Sequence, residues 1–314
     1  MSTAFVFPGQ GSQFIGMGQE LCDAFAEARE VFQEVDNAID FNLSKLMFSG
    51  DEAELTLTTN AQPAIMAVSI ATVRVLEKHF GQDASELCQF MAGHSLGEYS
   101  ALCAAGVFSL ADTAKLVRFR GQAMQNAVPI GLGSMVALVG SDIETAQKVA
   151  ELASAFGICE IANDNGAGQV VLSGEAIAID KVVEIHKEYG IKRAVKLPVS
   201  APFHSSLMQP AAEAMRAELE KYTSMEAKVD VIPNVSVVPT RDPEELKRSL
   251  VRQVAGRVRW RETYDLLQKK RVEKICEIGP GKVLSTIAGR MFKDEIKACH
   301  CGTPSELDEL VKQF

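Results

Sequence analysis

Five consecutive residues, Gly93-His94-Ser95-Leu96-Gly97, carry the spacing G-x-S-x-G. Two glycines around a serine allow a sharp strand-to-helix turn that leaves the hydroxyl clear, with helix N–H groups beside it. Such a serine can attack a carbonyl carbon and become an ester. The same spacing also suits a serine that only caps a helix. Context favours the nucleophile: residues 87–92 form an apolar run, and Ala101, Ala104 and Ala105 line the helix that follows.

A nucleophilic serine needs a base, and the chain has five histidines. His79 lies near a helix end, His186 shares a face with Ile179, Val182 and Val183, and His300 stands between two cysteines. His94 adjoins the serine, so the sharp turn aims it elsewhere. His204, in a loop stiffened by Pro202, is the best candidate. Spacing assigns no carboxylate to orient it. Two arginines share the next helix. Arg118 has Ala114, Lys115, Gly121 and Gln122 around it, a mixed and solvated face; Arg120 has Leu116, Val117, Ala123 and Met124. A cation on that apolar flank needs an anionic partner or a route to water. Either it closes an internal salt bridge or its planar fork takes a substrate carboxylate.

The elements that position these residues alternate. A strand over 4–7 enters the turn Pro8-Gly9-Gln10-Gly11, and one amphipathic helix is expected over 16–37. A helix over 61–80 carries Pro63 in its first turn, and another runs from a capping box at Ser109 and Asp112 to about 127. Residues 130–200 then read β-α-β-β-α-β, the ferredoxin-like order, with 163–168 as a turn. Beyond Pro202 helices and strands alternate again, with an extended run over 229–238 and a strand over 274–278. The expected fold is α/β: a mostly parallel sheet built from 1–129 and 201–314, with 130–200 inserted as a small domain.

Composition narrows the function. The chain has 314 residues, 47% of them hydrophobic, enough for a sizeable core. Its 32 Lys+Arg against 41 Asp+Glu leave a net charge of −9, which disfavours nucleic acid as a partner. No run of 18 apolar residues suggests a membrane span. Seven scattered cysteines without a CxxC pair read as reduced packing thiols, and the N-terminus has no basic leader, so a cytoplasmic protein is expected. Cys299-His300-Cys301 lacks two further ligands at finger spacing, so no metal is expected there.

Phe7-Pro8-Gly9-Gln10-Gly11-Ser12-Gln13, Gly93-His94-Ser95-Leu96-Gly97-Glu98, Arg120-Gly121 and Pro202-Phe203-His204 follow one another in this order. Together they resemble the malonyl-CoA:acyl-carrier-protein transacylase family, over essentially the whole chain. The resemblance implies an α/β-hydrolase-like large subdomain with a ferredoxin-like insertion. It implies Ser95 as the acylated nucleophile, His204 as the base and Arg120 as the malonyl carboxylate ligand. It further implies an oxyanion hole from the backbone N–H groups of Gln10 and Leu96, and a Gln253 carbonyl that orients the histidine. Asn163 and Asn165 would line the cleft, and Phe203 would fill the space of an α-methyl group. The implied partners are malonyl-CoA and an acidic acyl carrier protein, with no cofactor of the enzyme's own. A carrier of that charge needs a basic dock, and the densest stretch is Lys247, Arg248, Arg252, Arg257, Arg259, Arg261, Lys269, Lys270 and Arg271. An acyltransferase serving polyketide synthesis, or an esterase or thioesterase, are the competing readings.

Overall fold

Short apolar runs and amphipathic helices resolve into two sheets in the computed structural model, which describes residues 2–199 and 201–313. In chain order the elements are β1 (Thr3–Phe7), α1 (Gln19–Ala24), α2 (Ala26–Ile39), α3 (Leu43–Ser49), α4 (Glu52–Thr56), α5 (Thr58–Phe80), α6 (Ala84–Leu87), β2 (Phe90–Gly93), α7 (Gly97–Ala104), α8 (Leu110–Asn126), β3 (Gly133–Val139) and α9 (Ile143–Ala153). They continue with β4 (Cys159–Gly166), β5 (Gln169–Glu175), α10 (Ala176–Ile185), β6 (Arg193–Lys196), α11 (Gln209–Leu219), β7 (Asp230–Ile232), α12 (Pro243–Ala255), α13 (Trp260–Lys269), β8 (Lys274–Ile278), α14 (Val283–Phe292), β9 (Lys297–Cys301) and α15 (Pro304–Val311).

The first sheet has the order β7-β2-β1-β8-β9, every pair parallel. Parallel sheets are covered on both faces, so their strands are apolar throughout rather than alternating. All five residues of β1 are buried accordingly. Phe5 and Phe7 point into the larger core with α5, while Ala4 and Val6 point into a second core with Trp260, Tyr264 and Ile287. The second sheet has the order β4-β5-β3-β6 and is antiparallel. Here the alternation is visible. Val136 and Leu138 of β3 pack under α9 and α10, whereas Met135 and Ala137 turn to the opposite face. The α/β class, with a parallel sheet and a smaller ferredoxin-like one, is therefore as expected.

Several elements differ from expectation, each for a local reason. The helix expected over 16–37 is two, because Phe25 adopts extended backbone and packs on the core. Arg29 Nη1 donates to the carbonyls of Cys22 and Asp23, which the break would otherwise leave open. The helix α5 begins at Thr58, so Pro63 lies inside it. Proline has no N–H for the carbonyl four residues back. That carbonyl, Thr59 O, instead accepts from Arg118 Nη1 at 2.9 Å. Arg118 is thus half-buried, with its guanidinium over the Phe41 ring, rather than solvated. The strand β4 runs on through Asn163 and Asn165, with irregular register, and leaves only Ala167-Gly168 as the turn. The extended run after 229 stops at Ile232, before Pro233. The edge strand β9 and the short helices α3, α4 and α6 were not expected. Ser200, the upper bound of the expected insertion, lies outside the described residues.

Candidate active site

The strand β2 ends at Gly93, and α7 starts at Gly97. Between them Ser95 takes φ 54°, in the left-handed region. Such backbone costs a non-glycine residue about 1–3 kcal/mol and must be held by its surroundings. A Cβ on Gly93 would stand 1.8 Å from Gly97 O, and one on Gly97 would stand 2.3 Å from Phe7 O. Both glycines are therefore required by contact. Asn234 clamps the turn from outside: its Oδ1 accepts from Ser95 N–H at 2.8 Å, and its Nδ2 donates to Gly93 O at 2.7 Å.

His204 Nε2 is 2.7 Å from Ser95 Oγ. Its Nδ1 faces two carbonyls, Gln253 O at 2.9 Å and Gly256 O at 3.2 Å. Two acceptors at Nδ1 assign the proton there and leave Nε2 free to take one. Among the described residues no carboxylate bonds to the ring. Burial, with the Arg120 charge second, pushes the His204 pKa down to about 3, so the ring is neutral at ordinary pH. A neutral imidazole within reach of a hydroxyl can act as its base.

Arg120 is only 1% exposed. Its Nη1 donates to Gln62 Oε1 at 2.8 Å, and its Nη2 to Gln253 Oε1 at 2.9 Å and Ser95 Oγ at 3.1 Å. Among the described residues its Nε has no hydrogen-bond partner and the guanidinium forms no ion pair. Neutral amides hold this cation beside the serine hydroxyl, so the internal salt bridge left open by spacing is absent among the described residues. Glu98 is also buried. Its Oε2 accepts from Asn234 N–H and Gln253 Nε2, both at 2.9 Å, while Oε1 lacks a partner. Burial raises its pKa to about 7.

A cleft of about 280 Å³ opens over these groups. The turn with Gly9, Gln10 and Gly11 forms one side, Phe203 and His204 another, and Met135, Ala137 and Val171 of the antiparallel sheet the third. Asn163 and Asn165 line it too, and both meet His94: Asn165 Oδ1 is 2.9 Å and Asn163 Nδ2 3.5 Å from His94 Nε2. His94 also packs edge-on against Trp260. Leu96 is buried at the start of α7, where its main chain adjoins the serine. Sequence reasoning thus named Ser95, His204, Arg120, Gln253, Gln10, Leu96, Phe203, Asn163 and Asn165, and all lie in or against this cleft.

Gln62, Asn234 and Glu98 were missed. Glu98 had a signal, an acid among the small apolar residues of α7. Asn234, after Pro233 in a loop, had none. Among the described residues no group of His, Cys, Asp or Glu side chains converges as a metal site, and no helix is long and apolar enough to cross a membrane. The basic stretch does not form one surface. Arg248 and Arg252 pair with Glu245, Arg257 and Arg259 with Glu262, and Arg261 with Asp164 and Asp265. Lys247 Nζ donates to Tyr222 O. Exposed Lys269, Lys270 and Arg271 lie where α13 ends and β8 is about to start, at the N-terminal end of the parallel strands, whereas Ser95 follows the C-terminal end of β2.

The sequence profile of the acyl transferase domain matches residues 4–302. This chain belongs to the acyl transferase family. Among its relatives, the malonyl CoA-acyl carrier protein transacylase of Bacillus subtilis is 45% identical over 289 residues, 92% of this chain and 90% of that protein. The protein of the same name from Escherichia coli K12 is 39% identical over 304 residues, 97% of each chain. Among solved structures, the acyl-carrier-protein S-malonyltransferase of Bartonella henselae superposes with a TM-score of 0.97 at 53% identity, covering 100% of this acyl transferase and 99% of that chain. A type II PKS malonyl-transacylase in complex with its acyl-carrier protein superposes at 0.96 with 36% identity, covering both chains in full.

Proposed function

We propose that this acyl transferase moves a malonyl group from malonyl-CoA to the thiol of acyl carrier protein, through a malonyl ester on Ser95, and so supplies fatty-acid chain elongation. Its full-length likeness to transacylases of that name supports the reaction. The observation that carries the residue assignment is Arg120, a buried guanidinium that forms no ion pair among the described residues, 3.1 Å from Ser95 Oγ. Malonyl differs from acetyl by one carboxylate, and a guanidinium offers the two parallel donors that match it.

In the first half-reaction Ser95 Oγ attacks the thioester carbon as His204 Nε2 takes its proton. The Gln10 and Leu96 N–H groups stabilise the oxyanion, and CoA leaves as the thiol. In the second, His204 takes the proton of the carrier thiol, whose sulfur attacks the malonyl ester and releases Ser95. The Gln253 carbonyl keeps the His204 proton on Nδ1 throughout. Phe203 occupies the space beside the α-carbon, and Asn163 and Asn165 hold His94 in the cleft wall. Neither step needs a metal or a resident cofactor, since proton transfer and oxyanion binding come from the chain itself.

The division into 1–129 with 201–314, and 130–200, belongs to the same proposal. Its support is that the two crossing points touch: a Cβ on Gly133 would stand 2.3 Å from Pro202 Cδ. For the acidic carrier the dock is the part of the basic stretch on either side of Gln253 in the chain, Arg252 and Arg257, each of which would trade its partner Glu245 or Glu262 for a carrier carboxylate. The seven cysteines, none in a disulfide, fit a cytoplasmic setting.

Arg120→Ala tests the assignment. Losing one partner of a buried charge pair costs about 2–5 kcal/mol, so kcat/KM for malonyl-CoA should fall roughly 30- to several-thousand-fold. Acetyl-CoA turnover should hold or rise. Equal loss with both substrates would remove Arg120 from carboxylate recognition.

A further inference from the structure

Cys276 of β8 and Cys299 of β9 are direct partners in the register of the parallel pair. Their Sγ atoms lie 2.9 Å apart, inside the van der Waals contact of two sulfurs. Neighbouring strands keep their backbones about 4.7–4.9 Å apart, within the Cα separation of about 4.4–6.8 Å that a disulfide spans. The two thiols also differ in access. Cys276 is fully buried, whereas Cys299 is half-buried on the edge strand. Neither lines the cleft.

We propose that Cys276 and Cys299 form a reversible disulfide site, closed by hydrogen peroxide, in which Cys299 meets the oxidant and Cys276 resolves it. The hydrogen bond from the Cys276 thiol, together with Lys274 and Lys297, holds the Cys299 thiol below its usual range, while burial pushes Cys276 up. Cys299 therefore supplies the thiolate, which is the reacting form. Its sulfur attacks one peroxide oxygen, the O–O bond breaks, and the departing hydroxide takes up a proton as water. Cys299 is then a sulfenic acid. The Cys276 sulfur attacks the Cys299 sulfur, the S–O bond breaks, and the hydroxyl leaves with the Cys276 proton as a second water. Two thiols have lost two hydrogens, and one peroxide has become two waters. A resolving thiol in contact is what keeps such a cysteine from irreversible oxidation.

The test treats the reduced full-length chain with a small excess of hydrogen peroxide and reads intact mass and peptide maps. The expected result is loss of two hydrogens, one cross-link between Cys276 and Cys299, and full reversal by dithiothreitol. Cys301→Ser should keep the cross-link, although it lies on the same strand. Cys276→Ser should stall at a sulfenic acid that dimedone traps on Cys299. Addition of oxygen to the wild-type chain without a cross-link would overturn the proposal, as would a cross-link that joins Cys301 or Cys88 instead.

Discussion

His204, the proposed base, has an unusual environment, buried, near a cation, with its Nδ1 facing two backbone carbonyls. Its pKa near 3, against 6.5 for an ordinary histidine, has a definite sign for pH dependence. The free enzyme keeps the neutral ring well below pH 6.5, so the acid limb of kcat/KM for malonyl-CoA should lie below that value. In Arg120→Ala the limb should move up toward 6.5, because one of the causes holding the pKa down is gone. A limb at or above 6.5 in the native enzyme would contradict the environment described. The same shift acts on stability. Between pH 6.5 and about 3 the unfolded chain binds a proton at this position that the native chain refuses, so this contribution to stability is full above 6.5 and is lost as pH falls. His204→Ala should slow acylation by about 10²–10⁴-fold, the usual contribution of a positioned base.

At the scale of elements, β2, the turn and α7 make the serine stand out, and Asn234 from the loop after β7 keeps them in place. Asn234→Ala removes the acceptor of Ser95 N–H and the donor to Gly93 O. Each buried group left unpaired costs about 1–3 kcal/mol. The variant should melt lower and acylate at least about tenfold more slowly; wild-type acylation at an unchanged melting temperature would show that the turn holds itself. How far such elements can be read from sequence depends on whether their cause is local. The Gly93 and Gly97 spacing is local, and the strand-turn-helix reading held. The βαββαβ order of residues 130–200 is likewise carried by short-range patterning. Pro63 was misread because the group that lets α5 continue past it, Arg118, comes from another helix. Asn163 and Asn165 have the residue type of a turn, yet pairing of Asn163, Asp164 and Gly166 with β5 and a bridge from Asn163 to Val258 draw the segment into a strand, with Asn165 at an irregularity in it. The edge strand β9 is polar and half-exposed, with no alternation to betray it. Asn234 and Gln62 matter only through partners far along the chain. Gln253 entered through family resemblance alone, because a backbone carbonyl leaves no trace in residue type.

For the whole molecule the proposed acidic carrier raises a question of charge, since the chain itself carries a net −9. Gln253, near the end of α12, touches Ser95 at the C-terminal end of the parallel strands, whereas Lys269, Lys270 and Arg271 precede β8 at their N-terminal end. Charge reversal at Arg252 and Arg257 should therefore raise KM for carrier protein at low salt and leave KM for malonyl-CoA unchanged, whereas reversal at Lys269 and Lys270 should change neither. The opposite pattern would move the dock to the far end of the strands. The central claim, however, is transfer through a covalent ester on Ser95. Intact mass should show one malonyl group on the wild-type chain after malonyl-CoA, none on Ser95→Ala, and persistence of the group in water until carrier protein is added, when it moves to the carrier. A group that water removes at the same rate with or without carrier protein, or full malonylation of Ser95→Ala, would contradict the account.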